Sequence, residues 1–156
     1  MFSNQKKMKL KSIHTTEVFE FYTPDYTTEM ELPYVDVGIS AGFPSPADDF
    51  LELTIDLNKH LIKHKDSTFF AKVKGHSMKN AGIFDGDLLV IDKSLAPQDG
   101  KIAICQIDGE FTVKRIKIEN EVVWLIAENE DYKPIKVTEE NELMIWGIVI
   151  HSIKTF

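Results

Sequence analysis

The sequence predicts a mostly β fold, in which a compact antiparallel β domain follows a short helical segment and an extended N-terminal arm. From residue 68 onward, runs rich in β-branched and aromatic residues alternate with Gly, Pro, Asp and Asn, the pattern of strands separated by turns. Asp108-Gly109 joins two of these runs and favours a tight hairpin, because a type I′ turn needs positive φ at both central residues.

The first 41 residues differ in charge from the rest and predict an arm. Residues 1–16 hold four lysines and no acid, whereas residues 17–36 hold six acids and neither lysine nor arginine. Within them, EVFEFY and LPYVDVGIS are typical of short edge strands that cannot fold alone. We expect residues 1–41 to pack on the main body as an extended arm, with a mobile tail as the alternative. The lysine-rich first dozen residues carry no strand prediction.

The stretch PSPADDFLELTIDLNKHLIKH, residues 44–64, is predicted to be helical in pieces. Ser45 can cap a helix, Pro46 suits the first helical position, and Asp48 and Asp49 lie where the helix dipole favours acids. The strands of the body follow it. Their runs are TFFAKVKG, GDLLVID, KIAICQI, EFTVKRIKI, VVWLIAE and ELMIWGIVIHSIKTF. Residues 42–156 are therefore predicted to form one β domain.

The overall composition limits the function classes. About 43% of the residues are hydrophobic, and the formal net charge is −7, so the chain can form a core but lacks the basic face that binding to DNA phosphates needs. A single cysteine, Cys105, excludes an internal disulfide and suits a reducing compartment. No apolar run approaches the roughly 18 residues that span a membrane, and no secretory signal is evident. A cytoplasmic location is expected.

A serine in a turn raises the question of a nucleophile. Ser77 lies in the stretch KVKGHSMKNAGIFDGDLLVID, between two strand-like runs. None of the five histidines is well placed as its base. His76 is its immediate neighbour and points to the other side of an extended chain; the other four are His14, His60, His64 and His151.

His60 and His64 could bind a metal from one helix face, but a third ligand is missing, so solvated helix surface is preferred and no metal or cofactor is predicted.

A lysine is the alternative base. In GEFTVKRIKIEN, Lys114 shares one strand face with Ile116 and Ile118, so apolar surroundings on that face would bury its amine. Burial disfavours the ammonium and lowers the lysine pKa. At a pKa near 10.4 only about 1 in 2,500 amines is neutral at pH 7, whereas a pKa of about 7 makes half of them neutral. A Ser-Lys pair is a known form of the serine nucleophile, and an edge or half-exposed lysine is the alternative.

Several stretches together resemble the LexA/UmuD superfamily of self-cleaving Ser-Lys peptidases, UmuD-like proteins in particular. The matching stretches, in family order from about residue 41 to 151, are GFPSPADDF, IDLNKHLIKH, VKGHSMKNAGIFDGDLLVID, DGEFTVKRI and WGIVIH. The Gly-x-Ser-Met turn, the following Asp-Gly-Asp and the Phe-Thr-Val-Lys strand form a specific combination.

The resemblance implies Ser77 as nucleophile, Lys114 as general base, and self-cleavage between Ala41 and Gly42. Backbone N–H groups of His76 and Ser77 would stabilise the oxyanion. It also implies a dimerising β domain, stimulation by the RecA filament on single-stranded DNA, and a trimmed dimer that serves a Y-family, UmuC-like translesion polymerase in SOS mutagenesis.

Two other interpretations remain open at the level of sequence. The chain could be a dimeric binding module for a polymerase or repressor partner, with cleavage secondary or lost. Cys105 could be a nucleophile, although its apolar strand neighbours favour a small buried thiol. Trp124, Trp146 and Met78 are predicted core residues. The arm is too short and too strand-like for the helix-turn-helix domain of a repressor, which argues against direct operator binding.

Overall fold

The computed structural model describes residues 11–15, 19–34 and 53–156. Their strands, in chain order, are β1 Lys11–Thr15, β2 Phe19–Thr23, β3 Glu31–Tyr34, β4 Leu53–Asp56, β5 Thr68–Val73, β6 Leu88–Asp92, β7 Ile102–Ile107, β8 Glu110–Glu119, β9 Val122–Ile126, β10 Ile135–Lys136 and β11 Leu143–Ile153. A short helix, α1, spans Leu57–Leu61, and 3₁₀ turns span Lys65–Ser67 and Lys79–Ala81. The mostly β prediction is confirmed.

The chain divides into two compact units. The described residues up to Asp25 join His64–Phe156 in one unit, and the described part of Tyr26–Lys63 forms the other. The first unit holds a nine-stranded sheet in the order β1-β2-β5-β6-β11-β7-β8-β9-β10, and its strand pairs are antiparallel. The second unit holds the antiparallel pair β3-β4 and α1.

The large sheet carries apolar clusters on both of its faces. On β7, Ile104 belongs to one cluster while its neighbours Ala103 and Cys105 belong to the other, as the alternation of side chains along a strand requires. On β8, Val113 and Ile116 are divided between the same two clusters. Strands β7 and β8 are therefore covered on both sides, which allows a polar side chain on them to be buried.

The predicted hairpin joins β7 to β8. Asp108 and Gly109 have φ values of 50° and 85°, the positive values that a type I′ turn needs. Ile107 pairs with Glu110, and the antiparallel register continues to the pair Ile102–Arg115. The same register places Lys114 opposite Ala103, in the middle of the sheet.

The helical prediction for residues 44–64 is wrong for most of the described part. Residues 53–56 form β4, which pairs with β3, and the helix begins only at Leu57. The local reason is the sequence Leu-Thr-Ile-Asp, whose β-branched residues favour a strand, and Asp56, whose carboxylate accepts from the Asn58 N–H at 3.0 Å and caps the helix. Ser45, the proposed cap, and Pro46, the proposed first helical residue, lie outside the described residues.

The described part of the arm forms strands. The stretch EVFEFY, residues 17–22, overlaps most of β2, but β2 is not an edge strand, because it lies between β1 and β5. The edge is β1, which was not predicted, and LPYVDVGIS contributes to β3 up to Tyr34. The proposed boundary between residues 41 and 42 lies outside the described residues. Nowhere in the described ranges is a helix long and apolar enough to cross a membrane.

Candidate active site

The turn that carries Ser77 is held from several sides. It follows β5 and leads into the 3₁₀ turn Lys79–Ala81. Gly75, at φ 98°, takes a conformation that a side chain disfavours, and its N–H donates to a carboxylate oxygen of Asp85 at 2.7 Å. Met78 is 1% exposed within the core, as predicted, and anchors the turn from below. The half-buried Ser77 is thereby fixed at the surface of the core.

A second element supports the same turn from the far end of the sequence. The buried Asn129 side chain donates through Nδ2 to the His76 carbonyl at 2.9 Å. The Asn80 N–H donates to the Glu128 carbonyl at 2.8 Å. The segment after β9 is therefore hydrogen-bonded on both sides of Ser77, and this fixes where the hydroxyl lies.

Strand β8 brings Lys114 to the serine. The Lys114 Nζ lies 3.4 Å from the Ser77 Oγ, although 37 positions separate the two residues in the chain. The lysine is only 6% exposed. Two of the predicted site residues are thus within hydrogen-bond range, with the amine removed from solvent.

The surroundings of Lys114 oppose its positive charge. Among the described residues, no carboxylate lies within the 4.0 Å of its Nζ that an ion pair requires. Burial therefore lowers the pKa of Lys114 below its ordinary value, with a small opposing influence of Cys105. Burial likewise raises the pKa of the Cys105 thiol to about 12. Cys105 is fully buried, so the prediction of a structural thiol rather than a nucleophile is confirmed.

The three oxygen contacts of Lys114 fit either an ammonium or a neutral amine whose lone pair faces the serine. Its Nζ donates to the Thr112 Oγ1 at 2.5 Å and to the Val113 carbonyl at 3.0 Å. The carbonyl can only accept, and a neutral amine has two N–H groups and one lone pair. If both N–H groups point at Thr112 and Val113, the lone pair remains for the Ser77 hydroxyl. Such an arrangement can transfer a proton from oxygen to nitrogen.

The face assignment on β8 is partly correct. Ile116 is buried beside Cys105, as expected, but Ile118 is 45% exposed. Its N–H donates to an Asp99 carboxylate oxygen at 2.7 Å, and it lies near the end of the strand, beyond the apolar cluster. Lys114 is buried because the middle of β8 is covered, not because the whole face is apolar.

The proposed oxyanion donors lie in the same turn. Neither the His76 N–H nor the Ser77 N–H donates a hydrogen bond to another residue in the ranges that the structure describes. Both groups are therefore open to an additional acceptor, which is what an oxyanion hole requires. Ala41 and Gly42, the predicted cleavage site, lie outside the described residues.

The other histidines have different surroundings. His60 is exposed on α1, and His64 lies beyond the end of that helix, so the prediction of both on one helix face is wrong. The His64 Nδ1 lies 2.5 Å from an Asp92 carboxylate oxygen. His151 lies in β11 opposite Val90. The described residues contain no group of three or more His, Cys, Asp or Glu that could hold a metal ion.

Sequence reasoning missed three residues around the pair. Thr112 lies two positions before Lys114 on the same strand, so the alternation of side chains could have identified it. Tyr132, whose ring centroid lies 6.0 Å from the Lys114 Nζ, and Asn129 come from a distant loop. No local pattern connects that loop to the serine turn.

The chain matches known proteins over most of its length. Residues 33–150 match the family described as Peptidase S24-like. Protein MucA of Salmonella typhimurium is 38% identical over 123 residues, which cover 78% of this chain and 84% of MucA. Protein SamA of the same organism is 43% identical over 118 residues, covering 74% of this chain and 81% of SamA.

A repressor is also among the relatives. The LexA repressor of Alcanivorax borkumensis is 40% identical over 129 residues, which cover 83% of this chain and 62% of the repressor. The family match and these identities agree with the resemblance carried by the serine turn and the lysine strand. The chain belongs to the Peptidase S24-like family, as a UmuD-like member of the LexA/UmuD superfamily of serine peptidases.

Proposed function

We propose that the chain cleaves its own backbone between Ala41 and Gly42, with Ser77 as nucleophile and Lys114 as general base. The observation that carries this proposal is the buried Lys114 Nζ at 3.4 Å from the Ser77 Oγ. A serine hydroxyl is a weak nucleophile until a neighbouring base takes its proton. Burial lowers the pKa of Lys114, which raises the share of neutral amine in the place where that base is needed.

The reaction proceeds in two halves. Neutral Lys114 takes the Ser77 proton while the oxygen attacks the Ala41 carbonyl, and the resulting ammonium gives this proton to the Gly42 amine as the peptide bond breaks. An ester between Ser77 and Ala41 remains. Water then attacks the ester, its proton passes to Lys114, and the serine oxygen leaves with a proton returned by the lysine. The products are residues 1–41 and 42–156.

Positioning accounts for much of the rate in an intramolecular reaction. A well-placed group on the same chain reaches effective concentrations of about 10⁵–10⁸ M, whereas a misplaced bond does not react. The N–H groups of His76 and Ser77 would stabilise the oxyanion. A small residue followed by glycine lets the backbone approach the nucleophile closely.

The family supports a proposal for the biological setting. UmuD-like proteins belong to SOS mutagenesis, and MucA, SamA and ImpA are relatives of this chain. We infer that the RecA filament on single-stranded DNA stimulates cleavage by favouring the reactive position of the arm. The trimmed homodimer then serves as accessory subunit of a Y-family, UmuC-like translesion polymerase. The net charge of −7 is consistent with contacts to DNA-bound proteins rather than to DNA.

The dyad is tested with purified full-length protein, RecA, a nucleotide and single-stranded DNA. Wild-type protein should yield fragments 1–41 and 42–156, identified by mass spectrometry through a new N-terminus at Gly42. Ser77→Ala and Lys114→Ala should each reduce cleavage by more than about a thousandfold, because either change removes the nucleophile or its activation.

The matched control is Lys117→Ala. Lys117 lies on the same strand, but its side chain is 53% exposed and paired with Glu119, so its loss should leave cleavage within about twofold of wild type. Cleavage that persists in Ser77→Ala or Lys114→Ala would overturn the assignment. A new N-terminus at another residue would overturn the cleavage site alone.

A further inference from the structure

Strand β2, which lies in the arm, is an integral part of the main sheet. It pairs with β5 along four residue pairs, from Phe19–Val73 to Tyr22–Phe70. On its other side, β5 pairs with β6. If β2 leaves, the backbone hydrogen-bonding groups of β5 lose their partners on that side, and such an edge is a template for another strand.

One side chain of β2 fills an aromatic pocket. Phe21 is 1% exposed, and its ring centroid lies 4.7 Å from that of Trp146 and 5.2 Å from that of Phe111. Phe69 also contacts Trp146, with 5.2 Å between the ring centroids. A large hydrophobic side chain in a pocket of this kind is the usual anchor of a peptide-binding site.

Glu20, the residue before Phe21, indicates which charge a segment bound along β5 should carry. Glu20 pairs in register with Lys72, and a carboxylate oxygen lies 3.5 Å from the Lys74 Nζ. Both lysines are exposed. The rim of the groove is therefore basic on a chain of net charge −7, which favours a segment with an acid next to its aromatic anchor.

We propose that the edge of β5, the aromatic pocket and the two lysines form a binding groove for an extended partner segment with an acid followed by an aromatic residue. In the intact chain β2 occupies this groove, so the arm masks it. The partner segment adds a strand to β5 by main-chain hydrogen bonds and seats its aromatic ring where Phe21 now lies. If the proposed self-cleavage removes the arm, it opens the groove, but the groove itself does not depend on that reaction.

The test separates the groove from self-cleavage by using the full-length Ser77→Ala chain. A recognition sequence for a site-specific protease is inserted between the exposed residues Thr28 and Glu29, which follow β2 and precede β3. Cutting there removes the covalent tether between β2 and the body, so that β2 can be displaced, and it leaves the β3–β4 pair intact. The probe is a fluorescent peptide with the sequence of residues 17–25, EVFEFYTPD, and its binding is followed by fluorescence anisotropy.

We expect the peptide to bind the cut chain and to bind the uncut chain at least tenfold more weakly, because the tethered β2 competes. A peptide with Phe21→Ala should bind the cut chain on the order of a hundredfold more weakly, since it cannot fill the pocket. A peptide with Thr23→Ala is the matched control and should remain within tenfold of the parent peptide, because Thr23 lies beyond the four residue pairs that join β2 to β5. Equal binding of the parent and Phe21→Ala peptides, or no binding to a folded cut chain, would overturn the proposal.

Loss of the arm could unfold the cut chain, so a second measurement uses the intact one. In the uncut Ser77→Ala chain, Phe21→Ala should increase hydrogen exchange of the β5 amides, and excess parent peptide should reverse the increase. Peptide that leaves the exchange unchanged would contradict the groove. A failure of self-cleavage in the wild-type chain would affect neither result.

Discussion

At the scale of single residues, the protein places an amine where its charge is costly. A lysine that is 6% exposed and lacks a carboxylate partner in the described part of the chain is uncommon, because buried charges are ordinarily paired. Its polar contacts are the Thr112 hydroxyl, the Val113 carbonyl and the Ser77 hydroxyl. These contacts include no charge that would offset burial, so burial lowers the pKa of Lys114.

A residue-scale prediction concerns Asn129, which supports the serine turn without touching the reacting atoms. In Asn129→Asp the side chain keeps its size but loses the Nδ2 donor to the His76 carbonyl. We expect self-cleavage to slow by roughly 10- to 100-fold, because small displacements of a nucleophile cost rate steeply. The measurement is the RecA-stimulated cleavage rate alongside the free energy of unfolding.

Asn120→Asp is the matched control for that change. Asn120 is exposed in the turn between β8 and β9, away from the serine turn. Its cleavage rate should stay within about twofold of wild type. Wild-type cleavage in folded Asn129→Asp would mean that the hydrogen bond to His76 has no positioning role.

The sequence predicts Ser77 and Lys114 as a pair, but the pattern alone leaves an edge or half-exposed lysine as the alternative. The turn points to Ser77 and the strand face to Lys114, and the resemblance strengthens a pairing across 37 positions of sequence. Burial of Lys114 depends on the coverage of both faces of β8, which strand periodicity cannot reveal. Asn129 was unpredictable for the same reason, because a hydrogen bond between distant loops leaves no local pattern.

At the scale of elements, strands were predictable where alternation and turn chemistry agreed. The β7–β8 hairpin follows from Asp108-Gly109 and its flanking runs. By contrast, the acids and the proline before β4 favour a helix by local pattern, whereas pairing with β3 gives this segment a strand conformation. Strand β1 was missed because its five residues, KSIHT, become a strand only by pairing with β2.

An element-scale prediction concerns the irregularity in β11. The register of β11 against β7 shifts between Ile145 and Gly147, and a Cβ at Gly147 would lie 2.5 Å from the Ile91 Cγ2. We expect Gly147→Ala to lower the free energy of unfolding by about 1–3 kcal/mol, because an added methyl overpacks the contact between β11 and β6. The measurement is urea unfolding in the Ser77→Ala background.

Met144→Ala on the same strand is the control for Gly147→Ala. Met144 is 55% exposed, so its truncation should change the free energy of unfolding by less than about 0.5 kcal/mol. Equal stability of Gly147→Ala and the parent protein would show that β11 can move away from β6 at no cost.

At the scale of the whole molecule, buried carboxylates connect elements that are distant in sequence. Asp92, at the end of β6, is 1% exposed. Its carboxylate accepts hydrogen bonds from the Ser67 hydroxyl and from the Ser94 N–H and hydroxyl. The His64 Nδ1 lies 2.5 Å from the same carboxylate. Burial alone would raise the pKa of Asp92, but hydrogen bonds from Ser94, His64 and Ser67 lower it to about 2.

This carboxylate makes stability depend on pH. The pKa of Asp92 falls from 3.8 in the unfolded chain to about 2 in the folded chain, so its contribution is present above pH 4 and lost as pH falls towards 2. We expect Asp92→Asn to lower the free energy of unfolding by about 2 kcal/mol at pH 7, with a smaller deficit at pH 3. Urea unfolding at both pH values checks this, and a deficit that does not change with pH would contradict it.

The proposed chemistry depends most directly on the protonation of one amine. Lys114 must be neutral to take the Ser77 proton, and burial lowers its pKa from 10.5. The decisive measurement is the rate of unassisted self-cleavage by the full-length protein as a function of pH. The rate should rise about tenfold per pH unit while most of the lysine is protonated, and then level off at a pH clearly below 10.5. A rate that does not change with pH, or one that rises until 10.5, would contradict a buried, neutral Lys114 as the base.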